Sequence, residues 1–186
     1  MLREYSKALI LIVVLVLVQN MDITFKKLRN SSNDAPTSFA QMQKAPLGSW
    51  YIIRNVHSNM CLTWAANTFV KQTPCNPNQL NEIWQVKSAE GKEGDWVKIS
   101  DINGQFLDYS NGEYRIASEN KSGSQNFLAE ERDSAYTLKN ESGKKCIAST
   151  NLNEGSLFKQ IRCCGDKQNL WKFEKVEFNP AQPKNK

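Results

Sequence analysis

The sequence contains a single histidine, His57, and only five cysteines among 186 residues. A hydrolase built on a nucleophile and a base needs a histidine close to a serine or cysteine. His57 stands in a predicted turn beside Ser58 and Asn59, where adjacent side chains seldom point at one another productively. The adjacent Cys163 and Cys164 do not offer the C-x-x-C spacing of a metal site. We therefore predict no enzyme, no metal centre and no cofactor.

The chain also lacks a block of charge of one sign. Its formal net charge is +5, and its basic residues alternate with acidic ones throughout the sequence. Nucleic-acid binding requires a basic stripe on one side of the protein, so we do not expect a nucleic-acid partner.

The sequence has no apolar run long enough to cross a bilayer as a helix. The run at residues 8–18 has eleven apolar residues, follows Arg3 and Lys7, and is typical of the hydrophobic part of a secretory signal. Residues 1–20 are predicted to be a signal peptide, which indicates a secreted protein. Small residues favoured at a cleavage site do not follow, so an uncleaved signal anchor that tethers the protein to a membrane through residues 8–18 is the alternative.

Polar segments flank the remaining sequence. Residues 21–47 are predicted to be a flexible spacer and residues 179–186 a disordered tail, which leaves a domain at residues 48–178. Three triplets, beginning at Asn30, Asn120 and Asn140, match the glycosylation acceptor pattern and predict a glycoprotein if the chain enters the secretory pathway.

A short motif recurs in the domain. Trp84, Phe127 and Trp171 are each preceded two residues earlier by a polar side chain, and they are 43 and 44 residues apart. Aromatic-led β-type runs, small turns and second apolar segments recur in the same phase, which indicates an internal repeat. We expect an all-β domain of about twelve strands, in three four-strand repeats near residues 48–93, 94–133 and 134–178.

Four cysteines follow the repeat. Cys61 and Cys146 occupy one repeat position and Cys75 and Cys163 another, so we predict the disulfides Cys61–Cys75 and Cys146–Cys163. The fifth, Cys164, could exchange roles with Cys163, remain a buried thiol, or link two chains into an oligomer.

These features together resemble the ricin B-chain type of lectin domain, whose repeats close on a Q-x-W triplet. The resemblance implies a β-trefoil, although only the second repeat keeps the glutamine, as Gln125, and there Phe127 replaces the tryptophan. It also implies that Trp84, Phe127 and Trp171 fill a shared core.

The family binds sugar through an aspartate two residues after the second-strand cysteine position, an aromatic platform and an asparagine before the triplet. Only the second repeat has the aspartate, Asp108; Thr63 and Ala148 stand at the other two positions. Ala117 and Ser124 occupy the platform and asparagine positions of that repeat. The resemblance therefore implies a carbohydrate site at Asp108 and Gln125, with Tyr109 or Tyr114 supplying a ring.

Two functions remain open from the sequence. The first is a secreted or surface-tethered lectin that binds a glycan of galactose or N-acetylgalactosamine type, or a glycoprotein. The second is a protein-binding or structural module that has lost sugar recognition, because two of the three repeats lack the aspartate. An aspartate in a loop can also cap its own backbone amides, which is the structural explanation for Asp108.

Overall fold

A computed structural model describes residues 47–66 and 68–180, and the regular structure of this part consists of twelve β-strands and three short 3-10 turns joined by loops. The predicted signal at residues 1–20, and nearly all of the predicted spacer and tail, lie outside the described residues. Within the described part, no helix combines the length and apolar character needed to cross a membrane. The twelve strands are β1 Trp50–Asn55, β2 Cys61–Trp64, β3 Val70–Thr73, β4 Ile83–Ser88, β5 Trp96–Ser100, β6 Phe106–Ser110, β7 Glu113–Ala117, β8 Phe127–Arg132, β9 Ala135–Asn140, β10 Cys146–Ala148, β11 Lys159–Ile161 and β12 Trp171–Val176.

The first and fourth strands of each repeat form a closed barrel. The antiparallel pairs β1–β4, β4–β5, β5–β8, β8–β9, β9–β12 and β12–β1 make an unbroken ring of six strands. The last pair joins the two ends of the domain, with Trp50 opposite Val176 and Asn55 opposite Trp171. Closing the ring removes the free sheet edges that would otherwise attract other chains.

The second and third strands of each repeat form a hairpin, and the three hairpins are β2–β3, β6–β7 and β10–β11. Each is attached to the barrel through one pairing of its second strand. A short 3-10 turn then leads into the fourth strand, at Leu80–Glu82, Gly123–Gln125 and Lys167–Asn169. Three repeats of four strands are therefore present, as predicted.

The repeated aromatic side chains lie in the centre of the core. Trp84, Phe127 and Trp171 are all completely buried. The indole of Trp84 donates to the Leu62 carbonyl at 2.8 Å, and that of Trp171 donates to the Ile147 carbonyl at 3.0 Å. Each tryptophan thus buries a large apolar surface and satisfies its one polar atom on the hairpin of its own repeat.

Both predicted disulfides are present. Cys61 is bonded to Cys75 and Cys146 to Cys163, so the second strand of the first and third repeats is tied to the loop that follows the third strand. Cys164 is a free thiol on the surface. The alternative of a buried thiol is therefore wrong, because the loop after β11 turns this side chain towards solvent.

Candidate functional site

Asp108 lies in the middle of β6, on the face of the strand opposite to that of Leu107 and Tyr109, and it is buried, with 4% of its surface exposed. Its Oδ2 atom accepts a hydrogen bond from the side-chain amide of Asn120 at 2.9 Å and another from the hydroxyl of Ser124 at 3.2 Å. Both partners belong to the segment between β7 and β8. The carboxylate therefore lies against this loop, in a cluster that contains an acid, an amide and a hydroxyl.

Gln125 holds the loop in place. Its Oε1 atom accepts from the backbone amide of Asn120 at 2.9 Å, and its Nε2 atom donates to the carbonyl of Ser118 at 2.8 Å. Gln125 is completely buried, so both polar atoms of its amide are satisfied inside the protein. We interpret Gln125 as a positioning residue that fixes Asn120 beside Asp108.

Tyr109 and Tyr114 do not lie with Asp108. They are opposite one another in the β6–β7 hairpin, with ring centroids 5.0 Å apart, and both belong to the hydrophobic core or pack against it. Tyr114 is 2% exposed, and burial raises the pKa of its hydroxyl far above the usual range. Because neighbouring side chains of a strand point to opposite faces, the assignment of either ring to the carbohydrate site is corrected.

The aromatic ring that shares the face of Asp108 is Phe106. It is 6% exposed, and the ammonium groups of Lys87 and Lys98 lie 5.6 and 5.4 Å from its centroid. Lys98 also donates to Glu119 at 2.7 Å and thereby lowers the pKa of that carboxyl. Two lysines cover this ring, so it presents no open platform for a sugar.

The first repeat uses the position corresponding to Asp108 differently. Thr63 shares a hydrogen bond of 2.6 Å with Thr73, and the Thr73 hydroxyl donates to Glu82 at 2.9 Å. Glu82 is completely buried and also accepts from the Asn76 backbone amide at 2.6 Å. These groups are internally satisfied, and in the third repeat Ala148 offers no polar atom, so the second repeat alone carries a carboxylate at this position.

Sequence reasoning missed Asn120 as a site residue. The family asparagine stands immediately before the triplet, where this chain has Ser124, but the structure brings an asparagine to the carboxylate from four residues earlier. Strand pairing sets Phe106 opposite Ala117 as it sets Cys61 opposite Thr73 and Cys146 opposite Ile161, so Glu119 occupies the position of Cys75 and Cys163. Asn120 directly follows Glu119, and the alignment of the repeats in the sequence did not place either residue.

A second repeated feature was also missed. Asn55, Asp101 and Asn140 end the first strand of their repeats or directly follow it, and all three are at most 1% exposed. In each, an Oδ1 atom accepts from backbone amides of the turn that follows. The burial of Asn140 also corrects its prediction as a glycosylation site, because its side-chain nitrogen donates to the Ser124 carbonyl at 2.7 Å.

The domain shares its architecture with solved structures. A mosquitocidal holotoxin aligns with a TM-score of 0.63 and 21% identity over 72% of this chain, and this chain spans 18% of the toxin. The lectin of Polyporus squamosus, solved with an influenza-binding epitope, aligns at 0.60 and 16% over 70% of this chain and 50% of the lectin. BEL beta-trefoil aligns at 0.60 and 14%, over 72% of this chain and 97% of that protein.

The fold is a β-trefoil. No family model and no curated protein matches the sequence, so the likeness shows the architecture of the chain and not its ligand. Among the described residues, no group of three or more histidine, cysteine or acidic side chains is placed to hold a metal ion.

Proposed function

We propose that this protein is a secreted or surface-tethered carbohydrate-binding module that uses a single subsite in its second repeat, and that it binds rather than catalyses. The observation that carries the proposal is the cluster of Asp108, Asn120 and Ser124, in which a carboxylate at the expected repeat position is joined to an amide and a hydroxyl. Sharing the β-trefoil with a lectin supports the proposal at the level of the fold.

The chemistry of the cluster suits a sugar. A carboxylate accepts hydrogen bonds from two neighbouring hydroxyl groups, whereas the amide of asparagine both donates and accepts. Gln125 keeps this set rigid, which lowers the entropy that binding would otherwise cost. We expect a glycan of galactose or N-acetylgalactosamine type, bound at millimolar affinity because no open aromatic ring covers the apolar side of the sugar.

Weak affinity at one subsite makes multivalency important. Cys164 is exposed and its thiol donates to the Asp166 carboxylate at 3.0 Å. A disulfide between the Cys164 residues of two chains, or display on a membrane through residues 8–18, would present several subsites to one glycan surface.

A glycan-array screen of the oxidised protein tests the proposal. Asp108→Asn keeps the size of the side chain but removes the charge, and we expect it to weaken sugar binding by roughly tenfold, as for a charge-assisted hydrogen bond. Glu154→Gln, which alters an exposed carboxylate of the third repeat, is the matched control and should bind like the unaltered protein. If the Asp108→Asn variant binds sugar as well as the unaltered protein does, Asp108 is not part of a sugar subsite.

A protein-binding module is the second candidate, and the inward orientation of Tyr109 and Tyr114 favours it. A sugar site without a stacking ring loses a major source of affinity. In this case the loops of the trefoil would contact a protein partner. The expected result is a blank array from folded protein, together with capture of one specific extracellular protein that free sugars and deglycosylation do not release.

A further inference from the structure

Two of the four exposed large apolar side chains among the described residues lie in one loop, between β10 and β11. Leu152 is 57% exposed and Leu157 is 37% exposed. A single exposed leucine is normal on a protein surface, but these two stand on the same hairpin. The loop therefore presents apolar surface to solvent.

The loop is held in place on both sides of Leu152. Gln72 of β3 is 1% exposed, and its Nε2 atom donates to the carbonyls of Asn151 and Asn153, at 2.8 and 2.7 Å. The Ser149 hydroxyl donates to Oε1 of Gln72 at 2.6 Å. Because the backbone is fixed on each side of the exposed leucine, a partner that buries it has little loop entropy to overcome.

Two lysines border the exposed leucines. Leu157 and Lys71 of β3 are opposite one another in an antiparallel bridge, so their side chains lie on the same face. Lys159 is two residues after Leu157, with the buried Phe158 between them, and therefore shares that face. Neither lysine forms an ion pair among the described residues. Both ammonium groups are available to an anion.

The third hairpin also differs in charge from its counterpart in the second repeat. Residues 102–121 contain three acidic and two basic residues, whereas residues 142–165 contain one acidic residue, Glu154, and four basic ones. Those four are exposed and form no ion pair among the described residues: Lys144, Lys145, Lys159 and Arg162. Asp166 follows this segment, and its carboxylate accepts from the Cys164 thiol at 3.0 Å. A positive potential therefore extends over the third hairpin.

We propose that the third hairpin docks on a lipid bilayer that contains anionic lipid. The docking surface consists of two leucines that enter the interface and two lysines that bind the headgroups: Leu152, Leu157, Lys71 and Lys159. Attachment of a protein to the surface of a bilayer depends on buried apolar area together with attraction to anionic lipid, and this hairpin offers both. A soluble polyanion would bind the lysines but would leave the leucines in water.

One acidic side chain opposes the contact. Glu154 is exposed in the same loop and repels anionic headgroups. Binding should therefore be weak and should require a substantial fraction of anionic lipid. The docking surface excludes Asp108 and the apolar run at residues 8–18, so the inference depends neither on the sugar subsite nor on a signal anchor.

The test measures binding of the oxidised full chain to vesicles of phosphatidylcholine alone and to vesicles with roughly one-third phosphatidylserine. We expect at least roughly tenfold tighter binding to the anionic vesicles, since each lysine at such a surface contributes roughly fivefold. The difference should disappear at about 1 M salt, where charges are screened within about 3 Å.

Four variants alter the docking surface and its loop. Lys71→Gln and Lys159→Gln should each weaken binding to the anionic vesicles by roughly fivefold. Leu152→Gln should weaken it by roughly tenfold, because the apolar side chain no longer enters the interface. Glu154→Gln should strengthen binding by roughly two- to fivefold, because it removes a repelled charge.

Two matched controls lie outside the docking surface. Lys175→Gln removes a lysine from β12, opposite Tyr51, and Leu80→Gln replaces a leucine that is 39% exposed in the first repeat. Both should bind the anionic vesicles like the unaltered protein. Residues 8–18 are the same in every protein compared, so they do not cause a difference between variants.

Methyl NMR signals locate the contact. In bicelles of phosphatidylcholine and phosphatidylserine that carry a spin-labelled lipid, the signals of Leu152 and Leu157 should broaden more than those of Leu80. The indole signals of Trp84 and Trp171, whose protons are bonded inside the core, report on the folding of each variant.

Three results would overturn the inference. The first is equal affinity for neutral and anionic vesicles together with equal broadening at Leu152 and Leu80. The second is a loss of binding in Lys159→Gln that Leu152→Gln does not share, which would assign the lysines to a soluble polyanion. The third is an equal loss in Lys175→Gln, which would mean a general attraction of basic residues and no docking surface.

Discussion

The second repeat differs from the first and third in the interactions that stabilise its hairpin. Disulfides link Cys61 to Cys75 and Cys146 to Cys163, whereas Phe106 and Glu119 stand at the corresponding positions of the second repeat. Lys98 joins these two, with its Nζ atom 5.4 Å from the Phe106 centroid and 2.7 Å from Glu119. A covalent link has been replaced by a cation–π contact and an ion pair.

The replacement is weaker than the bond it replaces. A disulfide that closes a loop of this length stabilises by about 3 kcal/mol in the chain-entropy model, whereas a cation–π contact at the surface contributes about 0.5 to 1 kcal/mol. The repeat without a disulfide is also the one that carries Asp108. The candidate binding residue thus lies in the least constrained repeat of the trefoil, which is common for binding loops.

Introducing the missing disulfide should have the largest effect. The oxidised double variant Phe106→Cys with Glu119→Cys should be about 3 kcal/mol more stable than the double variant Phe106→Ser with Glu119→Ser, because the loop closed is similar in length to the natural ones. Chemical denaturation of both oxidised proteins, in which Cys61–Cys75 and Cys146–Cys163 stay intact, measures this difference.

The single variant Phe106→Cys is the control for the lost aromatic burial. Burial of a phenylalanine contributes about 1.5 to 3 kcal/mol, and both variants lose this contribution. The oxidised double variant should therefore exceed the unaltered protein in stability by much less than the new disulfide contributes. If oxidation leaves both new thiols free, the second hairpin does not have the geometry of the other two.

Asn169→Gln should stabilise the third repeat. Gln125 reaches the Ser118 carbonyl and the Asn120 amide at the same time. The shorter Asn169 reaches the Arg162 carbonyl, but its Oδ1 atom is buried without a hydrogen-bond partner among the described residues. One extra methylene should let this oxygen accept a bond, with a gain of roughly 1 to 2 kcal/mol in the free energy of unfolding.

The reciprocal variant Gln125→Asn should lose a similar amount, and it is the matched control for the glutamine position. Thermal unfolding of both variants compares the two repeats directly. A loss of stability in Asn169→Gln would show that the third repeat has no room for the longer side chain.

Asp101→Asn should add a bond between the first two repeats. Asn55 donates from its side chain to the Gln168 and Leu170 carbonyls, and Asn140 donates to the Ser124 carbonyl at 2.7 Å. Asp101 stands at the same repeat position but has no amide hydrogens. Asparagine there keeps an oxygen for the amides of Asn103 and Gln105 and gains a donor, but it loses the bond of 3.3 Å that Oδ2 of Asp101 accepts from the Asn103 side chain. The net gain in the free energy of unfolding should therefore be at most about 1 kcal/mol.

The corresponding loss is expected for Asn55→Asp, which removes the donor from the first repeat. Urea denaturation of both variants at neutral pH tests this pair. If Asp101→Asn leaves the stability unchanged, the carbonyl groups of Asn81 and Ile83 are not in position to accept from residue 101. The corresponding carbonyl groups accept from Asn55 and Asn140 in the other two repeats.

Acid should weaken the contact between the second hairpin and Lys98, and this is the smallest of the four effects. The hydrogen bond from Lys98 lowers the pKa of Glu119 below its ordinary value of 4.5. A carboxyl whose pKa is lower in the folded state contributes stability above its unfolded pKa, and that contribution is lost as the pH falls through the folded pKa. The disulfides of the other repeats do not titrate.

Backbone amide hydrogen exchange, corrected for intrinsic rates, should therefore be faster in β6 and β7 at pH 3 than at pH 6. The amides of β2 and β10 should not show this increase. Glu119→Gln removes the titrating group and should abolish the pH dependence of this difference. An equal response of all three hairpins would mean that the Lys98–Glu119 pair does not fasten the second repeat.

The orientation of Tyr109 and Tyr114 could have been predicted from the sequence. Asn111 and Gly112 form a two-residue turn in which both φ angles are positive, at 54° and 84°, and this dipeptide is a strong signal for a tight hairpin. Such a turn sets Tyr109 opposite Tyr114. Since Asp108 precedes Tyr109 in a strand, both tyrosines had to lie on the other face.

The sequence by itself determined the repeat and the pairing of four cysteines, because both depend on residues that recur at the same place in two or three repeats. Its resemblance to the ricin B-chain type of domain implied the β-trefoil. Tertiary structure alone decided that Asn120 reaches Asp108 and that Asn140 is buried against the Ser124 carbonyl. These depend on hydrogen bonds between segments that are distant in the repeat pattern. The direction of a loop side chain depends on the space and the hydrogen-bond partners that the folded barrel offers it. Those partners come from other segments of the chain, so a local sequence pattern does not encode them.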